Sequence, residues 1–292
     1  MADMVRAAGR ESSTGGRRMR VLGAGVRHLV LLLVAAICIV PFLWMLGTSF
    51  KEQNAVFSAT PSLLPEHFVT SAYYRVTHLV PEIRWAINSV AVAVLTTTGQ
   101  LVFATMAAYA FARIRFRGRN ALFVVYLGTM MVPSQVTIVP LYIVMKYLGW
   151  VDTYYALIVP FAFTSAFGTF LLRQYFLTVP RELEDAARID GAGPVRILWS
   201  VVLPTARPVM ATFGVFSFMF FWNDLLWPLI VTNSESRMTL PVGLANFAIG
   251  QYHTDWPAMM AGTVISLIPI LAVFVFIQRY FVQGITLTGV RG

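Results

Sequence analysis

The sequence predicts an all-α, polytopic membrane protein with six transmembrane helices. Of its 292 residues, 58% are hydrophobic and only 12% are charged, whereas soluble domains contain roughly 45–50% apolar and about 25% charged residues. So few charges could not cover the surface of a soluble globule of this size. Six apolar stretches are each long enough to cross a bilayer, which takes about 20 helical residues. The backbone must pair its polar groups in hydrocarbon, and no short alternating segments indicate a barrel, so the spans are predicted as helices.

The apolar stretches define the order of the predicted spans along the chain. The spans are predicted at residues 28–47, 86–112, 121–145, 154–177, 209–232 and 259–282. The first has a basic leader, as a signal peptide does, but it is longer than a signal h-region and lacks a small-residue cleavage site. An uncleaved anchor is therefore favoured. The leader, residues 1–27, is predicted to be disordered because its first 20 residues show no apolar periodicity.

The distribution of basic residues predicts the side of the membrane that each connection faces. With six spans, both termini lie on the same side. That side, which also holds the 2–3 and 4–5 connections, carries 17 of the 22 basic residues, and the other side carries five. The positive-inside rule places the richer side in the cytoplasm, so we expect a multi-pass protein of the plasma membrane with both termini cytoplasmic. Topology and attraction to lipid headgroups then explain the net charge of +9 without a nucleic-acid partner.

Motifs of catalytic sites are absent from the sequence. It contains no GxxxxGK[ST] phosphate loop and no HExxH, CxxC or GxSxG motif, and its four histidines are scattered. Neither ATP hydrolysis through a phosphate loop nor metal catalysis has a candidate site. The single cysteine, Cys38, cannot form an internal disulfide. The chain is therefore predicted not to be an enzyme and to hold no metal.

A few polar residues within the spans are candidates for a substrate pathway. Asp224 is the only acid inside a predicted span, and an intramembrane carboxylate is a functional candidate by default. The alternative is a structural role, with Asp224 paired to Asn223 or to a neighbouring helix. Gln135 follows Pro133, which should kink its helix and could border an aqueous path, although hydrogen bonding in a static bundle would also explain it. The candidate pathway residues are Gln135, Trp222, Asn223 and Asp224.

The strongest signal lies between spans four and five, at residues 178–208. Pro180 and Pro194 can each open a short helix, and Gly191 fits the end of the first one. Three acids suit the positive N-terminus of that helix, namely Glu182, Glu184 and Asp185. The sequence thus predicts a helix–turn–helix on the cytoplasmic surface, whose small-sided face could enter a narrow cleft. That face contains Leu183, Ala186, Ala187 and Asp190. An amphipathic helix lying on lipid is the alternative.

This connection resembles the EAA loop of ATP-binding-cassette importer permeases, whose pattern is EAA, three residues, Gly, nine residues and I-x-L-P. The matching residues are Asp185-Ala186-Ala187, Gly191 and Val201-Val202-Leu203-Pro204, with Asp in place of Glu and Val in place of Ile. Four other segments look like the smaller permease subunit of carbohydrate importers of the maltose-transporter type. They are YAFAR (109–113), MVPSQVTIVPLY (131–142), WNDLLWPLI (222–230) and QRYFVQGITLTGVRG (278–292).

The resemblance implies a permease domain over residues 28–285 and a cytoplasmic tail over 286–292. It implies a heterodimer with a second permease, two cytoplasmic ATPase subunits that bind ATP and Mg²⁺, and an extracytoplasmic solute-binding protein. No cofactor is expected in this chain itself. The implied substrate is a carbohydrate, with a polyol or glycerol phosphate as the alternative substrate and a secondary carrier as the alternative class.

The resemblance also implies which residues couple the chain to the ATPases. In the connection they are Glu182, Glu184, Asp185, Ala186, Ala187, Asp190, Gly191, Leu203 and Pro204. In the tail they are Gln283, Gly284, Gly289 and Gly292.

Overall fold

The computed structural model describes residues 2–57, 62–249 and 255–288. Within these ranges the regular secondary structure consists of α-helices, 3-10 turns and a π-turn, with no strands, which confirms the all-α prediction for the described chain. In chain order the α-helices are α1 (Ala2–Ser49), α2 (Ser71–Leu79), α3 (Glu82–Arg113), α4 (Arg119–Gly128), α5 (Ser134–Tyr147), α6 (Tyr154–Ala162), α7 (Ala166–Thr178), α8 (Arg181–Ile189), α9 (Pro194–Ile197), α10 (Leu203–Thr205), α11 (Arg207–Trp222), α12 (Leu226–Val231), α13 (Leu240–Ile249) and α14 (Trp256–Thr288).

Several of these helices are long and apolar enough to cross a membrane. Three segments qualify alone, namely Gly23–Ser49, Glu82–Arg113 and Tyr154–Thr178. Two bent pairs raise the number to five if each pair is one span, namely Arg119–Met131 with Ser134–Tyr147 and Pro194–Thr205 with Arg207–Trp222. In α14, Trp256–Ala272 is a shorter apolar helix. The described residues thus confirm a helical protein with several candidate spans, and the count of six stays a prediction.

Three of the predicted spans are not continuous helices, and in the fourth a short break at residues 163–165 separates α6 from α7. In the third, Pro133 is extended, with ψ of 134°, and the segments on either side are bent by 96°. Proline lacks an N–H group and fixes its own φ, so the helix ends before it and restarts after it. In the fifth, α11 ends at Trp222 and a separate six-residue helix, α12, follows. Straight helices over 121–145 and 209–232 are therefore not formed.

The first helix differs from the sequence expectation at its start. In the structure α1 begins at Ala2, whereas the sequence analysis expects residues 1–27 to be disordered. Extending an existing helix costs far less than nucleating one, and Ala, Arg and Met are good helix formers, so an apolar helix can support such an extension. None of the apolar window in Gly23–Ser49 is buried within the chain. This helix therefore needs lipid or another subunit to cover it.

The described core is arranged along α3, which contributes to three buried clusters. Trp85 packs with residues of α2, α11, α13 and α14, and Val92 packs with residues of α5, α6 and α12. Ala104, Ala108 and Ala112 join the third cluster with residues of α7 and the 178–208 connection. The four-residue spacing of these alanines places small side chains on one helix face, which lets α7 approach closely. α3 is thus the central helix of the fold.

Gln100 compensates for the break between α6 and α7. Its Nε2 donates to the carbonyl oxygens of Phe161 at 3.1 Å and Thr164 at 3.2 Å. Its Oε1 accepts from the Ser217 hydroxyl at 2.9 Å. The hydroxyl oxygen of Ser217 in turn lies 3.1 Å from that of Thr97. An unpaired carbonyl in apolar surroundings is costly, so this side chain stabilises the interruption. The sequence analysis did not identify Gln100.

Close contact between α3 and α6 yields a first prediction. A Cβ atom on Gly99 would lie 2.7 Å from the Cβ and 2.8 Å from the carbonyl oxygen of Ala162. We expect Gly99→Ala to lower the melting temperature of the purified protein, because a backbone oxygen cannot move aside and over-packing costs roughly 1–3 kcal/mol. Tryptophan fluorescence during heating would measure the shift.

The matched control is Gly128→Ala. A Cβ on Gly128 meets nothing within 4 Å, and its backbone is already helical, with φ of −57°. This variant should have an unchanged or slightly higher melting temperature, since alanine favours a helix by up to about 1 kcal/mol over glycine. Equal shifts in the two variants would contradict the tight α3–α6 contact.

Candidate functional site

The first half of the 178–208 connection is a short helix with a tight end. Pro180 is extended, with ψ of 136°, and α8 begins at the next residue. At its C-terminus, the N–H of Gly191 donates to the carbonyl of Arg188 at 3.0 Å, and the N–H of Ala192 donates to that of Ala187 at 2.9 Å. Gly191 has φ of +79°, a conformation that favours glycine at the end of a helix. The chain therefore reverses here and enters α9, in agreement with the predicted helix–turn–helix shape.

The second half of the connection contains a π-turn before a proline. Residues Leu198–Val202 form the π-turn, and the N–H of Leu203 bonds to the carbonyl of Leu198. Pro204 has no N–H to continue a normal helical ladder, and widening the preceding turn makes room for its ring. Beyond it, the direction changes by 84° into α11. Leu203 is half-buried and Pro204 is exposed.

A buried ion pair fixes α8 to the end of α3. Arg113 Nε lies 2.8 Å from Glu184 Oε1, and the two side chains are only 5% and 2% exposed. The Nη2 of Arg113 also donates to the carbonyl oxygens of Phe176 and Val179, at the end of α7, where carbonyls lack helical partners. The Tyr109 hydroxyl donates to Glu184 Oε2 at 3.4 Å. One guanidinium thus joins α3, α7 and α8.

The predicted coupling residues of α8 lie in two different environments. Asp185 is 60% exposed and pairs with Arg188 at 2.6 Å. Glu184 instead is buried against Arg113, so it can act on a partner only through the position of α8, and its role in coupling stays a prediction. Ala187 is half-buried and packs against the third core cluster, so it does not share the exposed face expected for it. The exposed members of the predicted set are Glu182, Asp185, Ala186, Asp190, Gly191 and Pro204.

An apolar tip surrounds the turn of the helix–turn–helix. Ile189 is 87% exposed, Val195 is 71% exposed and Leu183 is 46% exposed. Grouped apolar side chains that protrude beside charged residues are typical of a surface that contacts another protein. The sequence analysis named Leu183 but missed Ile189 and Val195. The three-residue intervals from Leu183 to Ala186 and Ile189 were the signal that could have identified one of them.

Trp222 and Asp224 have structural positions at the break between α11 and α12. Trp222 is 2% exposed and belongs to the first core cluster. The Asp224 carboxylate accepts hydrogen bonds from the backbone N–H groups of Trp227 and Leu226. These amides belong to the first turn of α12, where a helix leaves N–H groups without internal acceptors. These contacts with the start of α12 differ from the pairing with Asn223 or a neighbouring helix that the sequence analysis considers for Asp224.

The other two pathway candidates are exposed and lie on different helices. Asn223 follows the last residue of α11, and its Nδ2 donates to the Met219 carbonyl at 2.7 Å. Gln135 lies in the first turn of α5, where its Oε1 accepts from the Ser134 hydroxyl at 3.4 Å. Among the described contacts, none joins Gln135 to the residues at the α11–α12 break. The four candidates therefore do not make up one built site in this subunit.

The predicted tail contacts lie at the limit of the described chain. Gln283 and Gly284 belong to the last part of α14. Gly289 and Gly292 lie outside the described residues. Their proposed contact with an ATPase stays a prediction.

The opposite end of α3 holds the connection that precedes α13. The Trp85 indole N–H donates to the carbonyl of Glu235 at 2.9 Å. The Asn88 amide donates to the carbonyls of Ser236 at 3.1 Å and Met238 at 2.8 Å. Because each donor satisfies a backbone oxygen, these side chains define the path of an otherwise irregular segment. α3 is therefore attached to the 178–208 connection at one end and to the segment before α13 at the other.

Asp152 ties the turn between α5 and α6 to the same connection. Its carboxylate accepts from the backbone N–H of Asn233 at 2.9 Å and of Ser234 at 3.0 Å, and from the Ser234 hydroxyl. Burial acts to raise the pKa of the Asp152 carboxyl, but these hydrogen bonds and the charge of Arg237 outweigh it and hold the pKa below its ordinary value. Asp152 has φ of 61°, a left-handed conformation that Asp tolerates better than most residues.

Comparison with known proteins gives a consistent result for most of the chain. The family model described as "Binding-protein-dependent transport system inner membrane component" matches residues 100–287. The arabinooligosaccharides transport system permease protein AraQ of Halalkalibacterium halodurans is 38% identical over 208 residues, which are 71% of this chain and 74% of that protein. The sn-glycerol-3-phosphate transport system permease protein UgpE of Agrobacterium fabrum is 35% identical over 278 residues, or 92% of this chain and 98% of that protein.

A solved structure also shares the fold. It is described as a bacterial ABC transporter involved in the import of the acidic polysaccharide alginate, and it superposes with a TM-score of 0.76 at 29% identity. The match covers 88% of this chain and 96% of the chain in that structure. The arrangement of helices is therefore that of a permease chain from a transporter of this type.

The buried ion pair yields a second prediction. Glu184→Ala leaves the Arg113 guanidinium buried without its carboxylate, and breaking such a pair typically costs about 3–5 kcal/mol. We expect faster hydrogen–deuterium exchange across residues 181–205 of the purified protein, because α8 loses its attachment to α3. Asp185→Ala is the control, since an exposed pair contributes only about 0–1 kcal/mol. Equal exchange in the two variants would show that the buried pair does not position α8.

The lowered pKa of Asp152 yields a third prediction. Because the folded pKa lies below the unfolded one, the carboxylate stabilises the fold above about pH 4, and this is lost as the pH falls through the folded pKa. The melting temperature of Asp152→Asn should therefore lie below that of the unaltered protein by a constant amount between about pH 6 and pH 8, and the gap should shrink below about pH 4. Asp190→Asn, at an exposed position, serves as the control. A gap that varies near neutral pH would contradict this assignment.

Proposed function

The chain belongs to the family of binding-protein-dependent transport system inner membrane components, and on that premise we propose that it is a permease subunit of an ATP-driven carbohydrate importer. As a membrane component of a transport system it is not itself an enzyme. The observation that carries the proposal is the construction of α8, which is anchored from inside by the Arg113–Glu184 pair and carries an exposed apolar tip. Such a projection suits a helix that transmits force between subunits.

The proposed partners follow from surfaces that the chain leaves uncovered. The apolar face of α1 is exposed along the segment Gly23–Ser49, and a second, similar permease in a heterodimer would cover part of such a surface. Two cytoplasmic ATPase subunits, which would bind ATP and Mg²⁺, would receive the apolar tip of α8. An extracytoplasmic solute-binding protein would contact the opposite end of the bundle, beside the connection held by Trp85 and Asn88.

The proposed topology has six spans with both termini in the cytoplasm. α14 supplies the sixth span, and its segment Trp256–Ala272 is an apolar helix. Placing 17 of the 22 basic residues on the side of the 178–208 connection agrees with the positive-inside rule. This orientation puts α8 on the same side as the ATPases, as the proposed coupling requires.

The proposed mechanism is mechanical. ATP closes the ATPase dimer, which draws the α8 helices of the two permeases together, and the bundle then opens outward to accept substrate. Hydrolysis resets the cycle. ATP can drive this change only if it binds the two conformations with different affinities. Within this chain, the Arg113 contacts to Glu184, Phe176 and Val179 would pass a displacement of α8 to α3 and α7.

A polyol or glycerol phosphate is the second candidate substrate. It is favoured by the relative whose printed name assigns it to sn-glycerol-3-phosphate transport and which covers 92% of this chain. The carbohydrate reading is favoured by the relative named for arabinooligosaccharides and by the structure of an alginate importer. Purifying the chain with its co-expressed partner subunits and binding protein, and screening sugars and glycerol 3-phosphate for stimulation of ATP hydrolysis, would distinguish the two.

The docking role of α8 yields a fourth prediction. Ala186 is exposed, so a lysine there can be tolerated by the fold but would obstruct a narrow cleft in the ATPase. We expect Ala186→Lys to abolish substrate-stimulated ATP hydrolysis and uptake in reconstituted vesicles, with normal membrane insertion. Ala186→Ser, which keeps the side chain small, should retain both activities. Unaltered uptake by the inserted Ala186→Lys protein would refute the coupling role of this surface.

A further inference from the structure

A basic cavity lies where the connection between α3 and α4 meets the start of α8. Its volume is about 540 Å³, within the range of cavities that hold small ligands. Three arginines line it, namely Arg115, Arg119 and Arg181. The remaining lining residues are Phe116, Gly118, Asn120 and Ala121. The cavity is thus formed by two segments that are distant in sequence, one of which is the first residue of α8.

The positive charge of this cavity is not neutralised within the described chain. Neither Arg115, Arg119 nor Arg181 forms an ion pair with a described acidic residue. The nearest buried acid in the connection, Glu184, is already paired with Arg113. Arg119 donates to the carbonyl of Ile114 at 3.3 Å, which leaves its charge unchanged. Like charges facing one cavity repel one another unless an anion lies between them.

The backbone adds further donors to the same cavity. Gly118, with φ of +81°, turns the chain into α4, and the lining residues Arg119, Asn120 and Ala121 form the first turn of this ten-residue helix. The N–H of Arg119 already donates to the Phe116 carbonyl at 3.4 Å, whereas those of Asn120 and Ala121 have no intrahelical acceptors and point along the axis toward the N-terminus. Together with the three guanidiniums they favour an anion with several acceptor oxygens.

Apolar side chains beside the arginines indicate what kind of molecule carries that anion. Phe116 lines the cavity and is 40% exposed, and Ile114 is 43% exposed. On α4, which leads away from the cavity, Leu122 is 53% exposed and Val125 is 67% exposed. A soluble anion would gain nothing from this apolar border, whereas a molecule with a charged head and hydrocarbon chains would contact both parts.

We propose that this cavity binds the phosphate headgroup of an anionic phospholipid whose acyl chains lie along α4. Arg115 and Arg119 hold the phosphate from the α3–α4 connection, and Arg181 holds it from α8. Basic pockets of membrane proteins at the level of the lipid headgroups are known to select anionic lipids. The bound lipid bridges α4 and α8 and adds a second attachment for α8 beside the Arg113–Glu184 pair. The composition of the membrane then affects how firmly α8 is held.

The test uses the complete transporter, purified with its partner subunits, and measures lipid retained by native mass spectrometry. Phosphatidylglycerol and phosphatidylcholine are supplied in equal amounts. The cavity variant is Arg115→Gln/Arg119→Gln, with Arg181→Gln as a second variant in case the first perturbs the start of α4. The charge-matched control is Arg117→Gln/Arg196→Gln, which removes two exposed arginines that do not line the cavity.

The unaltered complex is expected to retain phosphatidylglycerol over phosphatidylcholine. The cavity variants should lose this preference, with affinity for phosphatidylglycerol lowered by roughly tenfold to thirtyfold, and the control should keep it. Excess inorganic phosphate should not displace the lipid. Equal retention by cavity and control variants, or equal retention of the two lipids, would overturn the proposal. Displacement by inorganic phosphate would overturn it in favour of a free-phosphate site. The readout needs no transport, so it is independent of the proposed importer activity.

Discussion

The position of α8 depends on a buried guanidinium. Arg113 ends α3, receives the carboxylate of Glu184 from α8 and donates to two carbonyl oxygens at the end of α7. A buried charge is tolerated when it is paired, and here the Arg113 guanidinium is paired with Glu184 while its Nη2 donates to two carbonyl oxygens, so one side chain joins three helices. Without that attachment α8 would depend on the third core cluster, against which Ala187 packs, and the orientation of its exposed tip would be less tightly defined.

A related constraint shapes the interior of the bundle. Every interruption of a helix in apolar surroundings exposes polar backbone groups, which must find partners inside the protein. Gln100 supplies the donors for the break between α6 and α7, and Asp224 supplies the acceptor for the start of α12. Both side chains resemble substrate-pathway residues when judged by polarity alone. In this chain they explain how broken helices are accommodated.

Hydropathy predicted the all-α class and the approximate positions of the apolar stretches, because bilayer thickness imposes their length. The turn in the 178–208 connection was predictable for a similar reason, since Pro180, Gly191 and Pro194 restrict the backbone locally. The burial of Glu184 was not predictable, because its partner lies on a helix far away in sequence and three acids in one short helix look equivalent. The exposure of Ile189 and Val195 likewise depends on which faces of α8 and α9 the core covers, a property of tertiary packing.

The continuity of α3 has a mechanical consequence. Its 32 residues contain no proline, and at 1.5 Å per residue they extend about 48 Å. One end is bonded to α8 through Arg113, and the other is bonded to the backbone of Glu235, Ser236 and Met238. A stiff rod pivoting about its centre by 10° would shift each end by about 4 Å in opposite directions. A small tilt of α3 at the α8 end would therefore move the segment before α13 by a similar distance in the opposite direction.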